Sequence, residues 1–529
     1  AWSLDRRWLV IGLSVGLLLL SLIPAALLRK EFTPRQDQSA FLIHVQTPIG
    51  SSIEYTQQKL QEAEKVLEAR PEIAHYFAVV GGFSLTGGAN EGDLSEEQIN
   101  VATIYVTLVP KSQRALGQFA LMAELKEALR KIPDLNAVPQ DLASRSFTAG
   151  RGYPIEINIR GEDYAVLEKL AASIIGRLRG TKQMTDFDTD LRNGMNEVRL
   201  FPDRQEAAKS GVSVETIVNT VSYAIGGVAQ GQFTNGDRRY DVRIRLEGQQ
   251  RANPDDLLKL QVRTSGNELI PIDRVVKPEQ VVTYQTLTRQ MRQRSVSIYA
   301  NVADGVSQAR AMETAQKIGG EEIAKLPDSG KGYRLLFGGG AATFKETFSS
   351  LTFALWLGVI VAYMILASQF NSFVHPMAVL LALPFSFSGA FFALLLTGQS
   401  LNMYSMIGLV LLMGIVKKNS ILLVDFSNRK RFEDGLPLRA AILEAGPVRL
   451  RPILMTSLAT LAAALPPALA IGPGAESRIP LAVTVIGGVV VSTTLTLFVV
   501  PCAYSLMASL ERRDKEDEEP SAQARQANP

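Results

Sequence analysis

Six long apolar segments constrain this chain of 529 residues more than any other feature. The hydrocarbon core of a bilayer is about 30 Å thick and requires a helix of roughly 20 mostly apolar residues. The segments that meet this requirement are Trp8–Leu28, Leu351–Ser368, Pro376–Leu396, Tyr404–Phe426, Pro452–Ile471 and Leu481–Met507. One or two such helices would be enough to anchor a soluble domain, so six predict a function inside the membrane.

The loops between these segments predict the orientation, because cytoplasmic loops are rich in lysine and arginine. The basic residues of segment 428–451 are Arg429, Lys430, Arg431, Arg439, Arg449 and Arg451. Loops 397–403 and 472–480 contain only Arg478 between them. Both termini are therefore expected in the cytoplasm, and residues 29–349 are expected on the outer side.

The composition and the first residues of the chain argue against several classes of protein. A net charge of +3 over this length gives no reason to expect a nucleic-acid partner. The single cysteine, Cys502, excludes an internal disulfide and argues against a cysteine-rich metal site, so no cofactor is expected. The chain begins with Ala1, as a fragment or a processed product would. Its first apolar segment follows Arg6 and Arg7 and is too long for a typical signal peptide, which predicts an anchor that is retained.

The region after the first apolar segment alternates between strand and helix periodicities. The predicted elements are strand Ala40–Gln46, helix Ile53–Arg70, strands Ala74–Val80 and Val101–Leu108, helix Leu121–Ile132 and a last strand before Gly152. This is the β-α-β-β-α-β order of a ferredoxin-like unit.

The same pattern then restarts, with a long insertion in its middle. The predicted elements are strand Pro154–Arg160, helix Tyr164–Leu178, strand Thr185–Thr189, strand Ser295–Val302, helix Ser307–Lys325 and strand Tyr333–Phe337. The insertion contains a helix, Val214–Ile225, capped by Ser213, and a hairpin that turns at Asn235–Gly236.

A glycine-rich loop between the two central strands of the first unit is a candidate binding element. It begins at Gly81 and Gly82, with Phe77, Phe83 and Leu85 around it. No helix start with a lysine follows the glycines, so phosphate binding is a poor explanation. Two interpretations stay open, which are an apolar ligand site and an ordinary mobile connection.

The fourth apolar segment carries charges at its midpoint, namely Lys417 and Lys418, followed by Asn419. A charge at that depth costs on the order of 3 kcal/mol, and such residues normally face the bundle interior and pair with an acid. Asp425 is two helical turns away from Lys418, roughly 10 Å, which is too far for a direct ion pair. No other apolar segment has a central acid. The partner of Lys418 is therefore expected outside this chain.

The fifth segment opens with Arg449, Arg451 and Pro452, and Thr456 follows two turns after Arg449. Pro452 predicts the first turn of a helix. The two arginines are either anchors at the cytoplasmic surface or the lining of a polar path to Lys418. Small residues that predict close helix packing are Gly358, Gly389, Gly408, Gly414, Gly487 and Gly488.

These intramembrane motifs, Gly414–Phe426 and Arg449–Ser457, together with Phe337–Gly340 and Phe370–Phe373, resemble a known family. The chain resembles the C-terminal half of resistance–nodulation–division (RND) exporters, in the hydrophobe/amphiphile multidrug branch of the acriflavine-resistance pumps. The resemblance implies a proton/substrate antiporter of the bacterial inner membrane, not an enzyme. It further implies a homotrimer, a periplasmic adaptor protein, an outer-membrane channel, hydrophobic small molecules as cargo, and an N-terminal half that carries the acidic pair.

The resemblance also implies a division of the chain into an α-helical membrane domain of six transmembrane helices and an α/β periplasmic domain. The periplasmic domain would hold two ferredoxin-like porter subdomains with an inserted docking subdomain. The expected ranges are 1–28 for the first transmembrane helix, 29–153 for porter subdomain 1, 154–195 and 290–345 for porter subdomain 2, 196–289 for the docking subdomain, 346–510 for a five-helix bundle and 511–529 for a disordered cytoplasmic tail.

Site residues follow from the same resemblance. Lys418, Arg449 and Thr456 match proton-relay positions, and Asn419 and Asp425 lie alongside. The residues that match the drug pocket and its glycine-rich loop are Phe77, Gly81, Gly82, Phe83 and Leu85, the last in place of a phenylalanine of a relative.

Two other hypotheses stay open. One is a lipid, metal or protein-secretion relative, since Met403, Met406 and Met413 suit a soft metal as well as packing. The other is a membrane scaffold that does not transport.

Overall fold

The structure is a computed structural model that describes residues 2–81, 99–142, 152–251, 253–470, 472 and 474–508. The described residues divide into two compact units. One combines the chain up to Asp190 with the chain from Thr288 onward, and the other is Leu191–Leu287.

The N-terminal apolar segment forms three helices, α1 (Trp2–Asp5), α2 (Arg7–Leu20) and α3 (Leu22–Leu27). The single helix predicted for Trp8–Leu28 is therefore interrupted at Ser21, whose hydroxyl donates to the carbonyl of Leu18 (2.6 Å). A side chain that bonds to its own helix backbone bends helices at such positions.

The first sheet follows the alternation of the sequence closely. Its elements are β1 (Ala40–Gln46), α4 (Ile53–Glu68), β2 (Ile73–Val80), β3 (Val101–Leu108), α5 (Gln118–Leu129) and β4 (Asn136–Asp141). The strand order is β2-β3-β1-β4, and all pairs are antiparallel. Alternate residues of β1, Phe41, Ile43 and Val45, join Leu121 and Leu125 of α5 in a fully buried core. Each such side chain contributes about 1.5–3 kcal/mol of apolar burial.

The second sheet repeats this strand order. Its elements are β5 (Ile155–Gly161), α6 (Tyr164–Thr181), β6 (Met184–Thr189), β13 (Thr288–Gln290), β14 (Gln293–Val302), α10 (Gln308–Ala324) and β15 (Arg334–Gly338). The sheet runs β13-β14-β5-β15, and β6 also pairs with β14. The order β6-β14-β5-β15 thus corresponds to β2-β3-β1-β4 of the first sheet, and β13 is an additional short strand that also pairs with β14. The naming of the two sheets as porter subdomains, with the boundaries given above, stays a prediction.

The unit Leu191–Leu287 has a core of its own. Its elements are β7 (Asn193–Pro202), α7 (Arg204–Lys209), α8 (Val214–Ile225), β8 (Val228–Asn235), β9 (Arg238–Ile244), α9 (Pro254–Leu258), β10 (Gln261–Arg263), β11 (Leu269–Pro271) and β12 (Val276–Tyr284). Ser213 caps α8 as predicted, accepting from the N–H of Thr216 (3.0 Å). The hairpin turn lies one residue later than predicted. Asn235 pairs with Arg238, so the two-residue loop is Gly236–Asp237, with Gly236 at φ +60°.

The remaining helices follow the second sheet. They are α11 (Gly339–Phe370), α12 (His375–Leu380), α13 (Ala382–Leu396), α14 (Met403–Phe432), α15 (Leu438–Ala468) and α16 (Ile479–Met507). Within the described part of the chain, six helical stretches are long and apolar enough to cross a membrane, namely Arg7–Leu27, Gly339–Phe370, His375–Leu396, Met403–Phe432, Leu438–Ala468 and Ala475–Met507.

The helix start predicted at Pro452 is wrong. Helix α15 begins at Leu438, so Pro452 lies inside the helix and not in its first turn. The apolar pattern underestimates this helix because a helix that continues beyond a bilayer no longer needs apolar residues. For the same reason α11 begins at Gly339, well before Leu351. Both helices therefore extend past their apolar segments.

Close helix packing is present at most of the predicted glycines. A Cβ atom at Gly389 of α13 would lie 2.4 Å from the carbonyl oxygen of Gly487 in α16, so these two helices touch through their backbones. Gly414 is the exception, because a Cβ there would meet nothing within 4 Å. Its prediction as a packing glycine is wrong.

Candidate functional site

The positions of Lys417 and Lys418 along helix α14 are set by where that helix begins. Asn402 and Ser405 form a capping box, in which the Asn402 side chain accepts from the Ser405 N–H (3.0 Å) and the Ser405 hydroxyl accepts from the Asn402 N–H (2.8 Å). This arrangement satisfies backbone donors that a helix start otherwise leaves unpaired. The helix then runs for 30 residues and carries Lys418 near its middle.

A polar cavity of about 320 Å³ lies beside Lys418, where α14, α15 and α16 meet. Its lining is Leu411, Gly414, Ile415, Val416, Lys418, Asn419, Thr456, Ser457, Thr460, Val489, Ser492 and Thr493. Seven of these twelve residues are polar, although the helices that carry them are mostly apolar. The cavity can hold water or accept a side chain from a further helix.

Hydrogen bonds connect the three helices across this cavity. The Asn419 amide nitrogen donates to the Ser457 hydroxyl (3.3 Å), which is 2.9 Å from the Thr493 hydroxyl. The Thr456 hydroxyl reaches the Asn419 amide oxygen (3.5 Å) and the carbonyl of Ile453 in its own helix (3.1 Å). Asn419, Ser457 and Thr493 are buried.

Lys418 itself is exposed in this chain, although it sits mid-helix. It makes no hydrogen bond or ion pair with any residue that the structure describes, and the described cavity lining contains no acid. Asp425 is the nearest acid along α14, and its partner is Arg429, one turn further on (3.4 Å). The expectation that Asp425 does not pair with Lys418 therefore agrees with the observed contacts.

Arg449 lies outside the cavity lining. Its guanidinium carbon is 4.6 Å from the centroid of the Phe426 ring, and its buried Nε has no hydrogen-bond partner among the described residues. A guanidinium over an aromatic face is a favourable cation–π arrangement. The structure therefore brings together Lys418, Asn419 and Thr456, whereas Arg449 lies over the Phe426 ring and Asp425 pairs with Arg429.

The predicted cargo residues are only partly described. Phe77 lies on β2, an edge strand of the first sheet, with 52% of its surface exposed. Gly81 follows the strand at φ +95°, a conformation that suits glycine. Gly82, Phe83 and Leu85 lie outside the described residues.

Sequence reasoning missed four polar residues of the lining, Ser457, Thr460, Ser492 and Thr493. The available signal was their chemistry, since hydroxyls that recur in an apolar helix normally face another helix. The three methionines lie in the first half of α14. Met406 is in the helix core, and the Met413 methyl group packs against Gly358.

Comparison with known proteins gives matches along nearly the whole chain. Residues 1–508 match the AcrB/AcrD/AcrF family. The multidrug resistance protein MdtC of Erwinia amylovora is 28% identical over 516 residues, covering 96% of this chain and 48% of its own length. An uncharacterized transporter of Haemophilus influenzae is 26% identical over 489 residues, covering 91% and 45%. The chain thus spans about half the length of the curated relatives it matches.

A solved structure shares the fold. The X-ray structure of a heavy metal efflux pump superposes with a TM-score of 0.79 over 96% of this chain and 52% of the pump's chain, at 24% identity. The likeness extends over the sheets and the apolar helices.

Proposed function

Because the chain belongs to the AcrB/AcrD/AcrF family of RND transporters, we propose that it forms the C-terminal half of a proton-driven efflux pump. The proposed pump exports hydrophobic or amphiphilic compounds from the periplasm or outer leaflet in exchange for protons. The name of the Erwinia relative, a multidrug resistance protein, supports this cargo class.

The observation that carries this proposal is an uncompensated cation on a polar cavity. Lys418 lines the cavity together with Asn419 and Thr456, and the described lining offers it no acid. A cation held at mid-membrane without a partner is costly, and removing one member of a buried pair leaves an uncompensated charge. An acidic pair in the N-terminal half of the pump would complete the site.

Proton coupling then follows from electrostatics. A carboxylate next to Lys418 is stabilised by the cation, and its protonation removes that attraction. Lys418 is then free to move, which changes how α14 packs against the other half. In this proposal Thr456 and Asn419 guide Lys418, while Arg449 and Asp425 form the cytoplasmic end of the path.

The α/β units are the proposed cargo-binding part. Exposed Phe77 on an edge strand, next to the glycine-rich segment that starts at Gly81, suits an apolar ligand. The proposed setting is a trimer in the inner membrane with cytoplasmic termini and a periplasmic domain. A periplasmic adaptor and an outer-membrane channel complete the path.

The test compares two adjacent lysines in the transporter as its gene encodes it, with ethidium as the probe. Lys418→Ala is expected to abolish proton-driven ethidium efflux from cells at equal protein level. Lys417→Ala is the matched control, because Lys417 shares the helix but not the cavity lining, and it should retain efflux. Equal efflux in both variants and the unmutated transporter would contradict the proposed function.

A further inference from the structure

Ser457 and Thr493 form a buried hydroxyl pair next to Asn419, in the lining of the cavity. Their oxygens are 2.9 Å apart and connect α15 to α16. Neither residue has a role in the function proposed above. We propose that Thr493 is a positioning residue, which acts through Ser457 to fix the orientation of the Asn419 amide and thereby the group presented to Thr456.

The contacts form one continuous chain across three helices. Thr493 lies next to Ser457, the Asn419 amide nitrogen donates to Ser457 (3.3 Å), and the Asn419 amide oxygen faces the Thr456 hydroxyl (3.5 Å). Ser457, Thr493 and Asn419 are buried, where a polar atom without a hydrogen-bond partner is costly. Each hydroxyl proton is therefore restricted to a small number of acceptors. The orientation of one group therefore constrains the next.

The direction of this constraint follows from counting protons. A serine hydroxyl has one proton to donate, and its oxygen can accept. When Ser457 donates to Thr493, its oxygen is left to accept from the Asn419 nitrogen. The amide oxygen then faces Thr456, as the structure shows.

Removal of the Thr493 oxygen changes this preference. Ser457 loses its acceptor on α16, and the Asn419 side chain, already in contact with Ser457, can offer its amide oxygen as an alternative acceptor. The amide then turns over and presents its NH₂ group to Thr456 and to the cavity. Thr456 then donates only to the Ile453 carbonyl, and its oxygen accepts from the Asn419 NH₂ group, so the bond between α14 and α15 is reversed in direction.

The reversed orientation of the Asn419 amide should change the pH dependence of transport. This step rests on the function proposed above. Lys418 is the only titratable side chain among the described lining residues, and α15 and α16 contribute hydroxyl and apolar groups only. An amide NH₂ group in place of the oxygen brings the positive end of a dipole toward the site. A carboxyl group paired with Lys418 would then release its proton more readily, so the pH profile of transport should move to lower pH.

The experiment uses three variants in the transporter as its gene encodes it, reconstituted in proteoliposomes with an imposed proton gradient. Thr493→Val removes the hydroxyl while keeping the shape, and Thr493→Ser restores a hydroxyl. Thr494→Val is the matched control, because Thr494 is exposed and, within the described part of the chain, its hydroxyl bonds only to the Val490 carbonyl of its own helix. Ethidium flux is measured from pH 5 to 9.

Thr493→Val should shift the midpoint of the pH profile downward by about half a pH unit and lower maximal flux roughly threefold to tenfold. Thr493→Ser and Thr494→Val should match the unmutated protein. Hydrogen exchange of peptides covering Thr456, at matched chemical exchange rates, provides a second readout that needs no cargo. The pH midpoint of this hydrogen exchange should also move to lower pH, and only in Thr493→Val.

An unchanged midpoint in Thr493→Val by both readouts would overturn the inference, since Ser457 would then be satisfied by its own helix. Lower flux with an unshifted profile would also overturn it, because that result marks a merely structural role. Failure of the proposed function is distinct, because it shows as full efflux in Lys418→Ala or as no ethidium flux in the unmutated protein.

Discussion

Lys417 and Lys418 are neighbours in the sequence but have different surroundings. Successive helix residues point about 100° apart. One lysine therefore lines the polar cavity, and the other is half-buried away from the lining. A similar distinction separates Arg449, which stacks on Phe426, from the exposed Arg451. At the scale of single residues, orientation on the helix decides which charge can take part in the site.

Arg449 provides a test at this scale. Arg449→Lys keeps the charge but removes the planar group that lies over Phe426, and lysine does not reproduce such stacking. A cation–π contact of this kind stabilises by about 0.5–2 kcal/mol. The expected result is a roughly two- to tenfold lower rate of ethidium efflux at equal protein level.

Arg451→Lys is the control for this prediction, because Arg451 is exposed in the same helix turn. Efflux by Arg451→Lys should remain close to that of the unmutated protein. The same loss in both variants would show that the charge near the cytoplasmic surface, and not the contact with Phe426, determines the rate.

Pairs of elements are held together by charge as well as by apolar burial. Helices α6 and α10 cover the second sheet and meet at Glu322, a buried carboxylate. It accepts hydrogen bonds from Lys325 (2.5 Å), Ser173 (2.6 Å) and Arg177 (2.8 Å). These bonds, with that of Lys325 the strongest, lower the pKa of Glu322 from 4.5 to about 2. The carboxylate form is therefore the one that the fold stabilises.

This pKa predicts how stability depends on pH. Since the folded-state pKa lies below the ordinary value, the contribution of Glu322 is complete above pH 4.5 and is lost as the pH falls toward 2. Glu322→Gln should lower the thermal unfolding midpoint at pH 7, and the difference from the unmutated protein should shrink at pH 3. Glu313→Gln, on an exposed position of α10, should show neither effect. A difference of constant size at both pH values would contradict the role of the carboxylate.

At the scale of the whole chain, the unit Leu191–Leu287 begins and ends at neighbouring positions. Strands β7 and β12 pair antiparallel along their length, and beyond them the N–H of Gln285 donates to the carbonyl of Arg192 (2.8 Å). The unit between them, Leu191–Leu287, has its own buried core, which includes Ile217 and Val262. A segment with its own core and adjacent ends has the properties of a domain that folds alone.

We therefore expect residues 191–287, produced separately, to unfold cooperatively in urea. Ile217, with 3% of its surface exposed, and Val218, with 56%, are neighbours on α8 and give a matched pair. Ile217→Ala should cost about 2–5 kcal/mol of unfolding free energy, and Val218→Ala about 0.5 kcal/mol or less. Equal costs, or a transition without cooperativity, would show that this unit depends on the rest of the chain.

The sequence by itself determined the features that depend on local periodicity. The strands Ala40–Gln46 and Val101–Leu108 and the Ser213 cap of α8 are confirmed to the residue, because alternation and capping involve only neighbouring residues. The apolar segments likewise marked the long helices. Hydrophobic patterns predicted the ends of these helices less accurately, as the start of α15 at Leu438 shows.

Only the tertiary structure decided which polar groups meet. The contact of Arg449 with the Phe426 ring and the chain from Thr493 through Ser457 to Asn419 depend on how helices are rotated and cross. Rotation and crossing are set by packing over many residues, such as the backbone contact of Gly389 with α16. The sequence therefore predicted the charge of Lys418 within an apolar segment, and the packing of three helices determined what surrounds it.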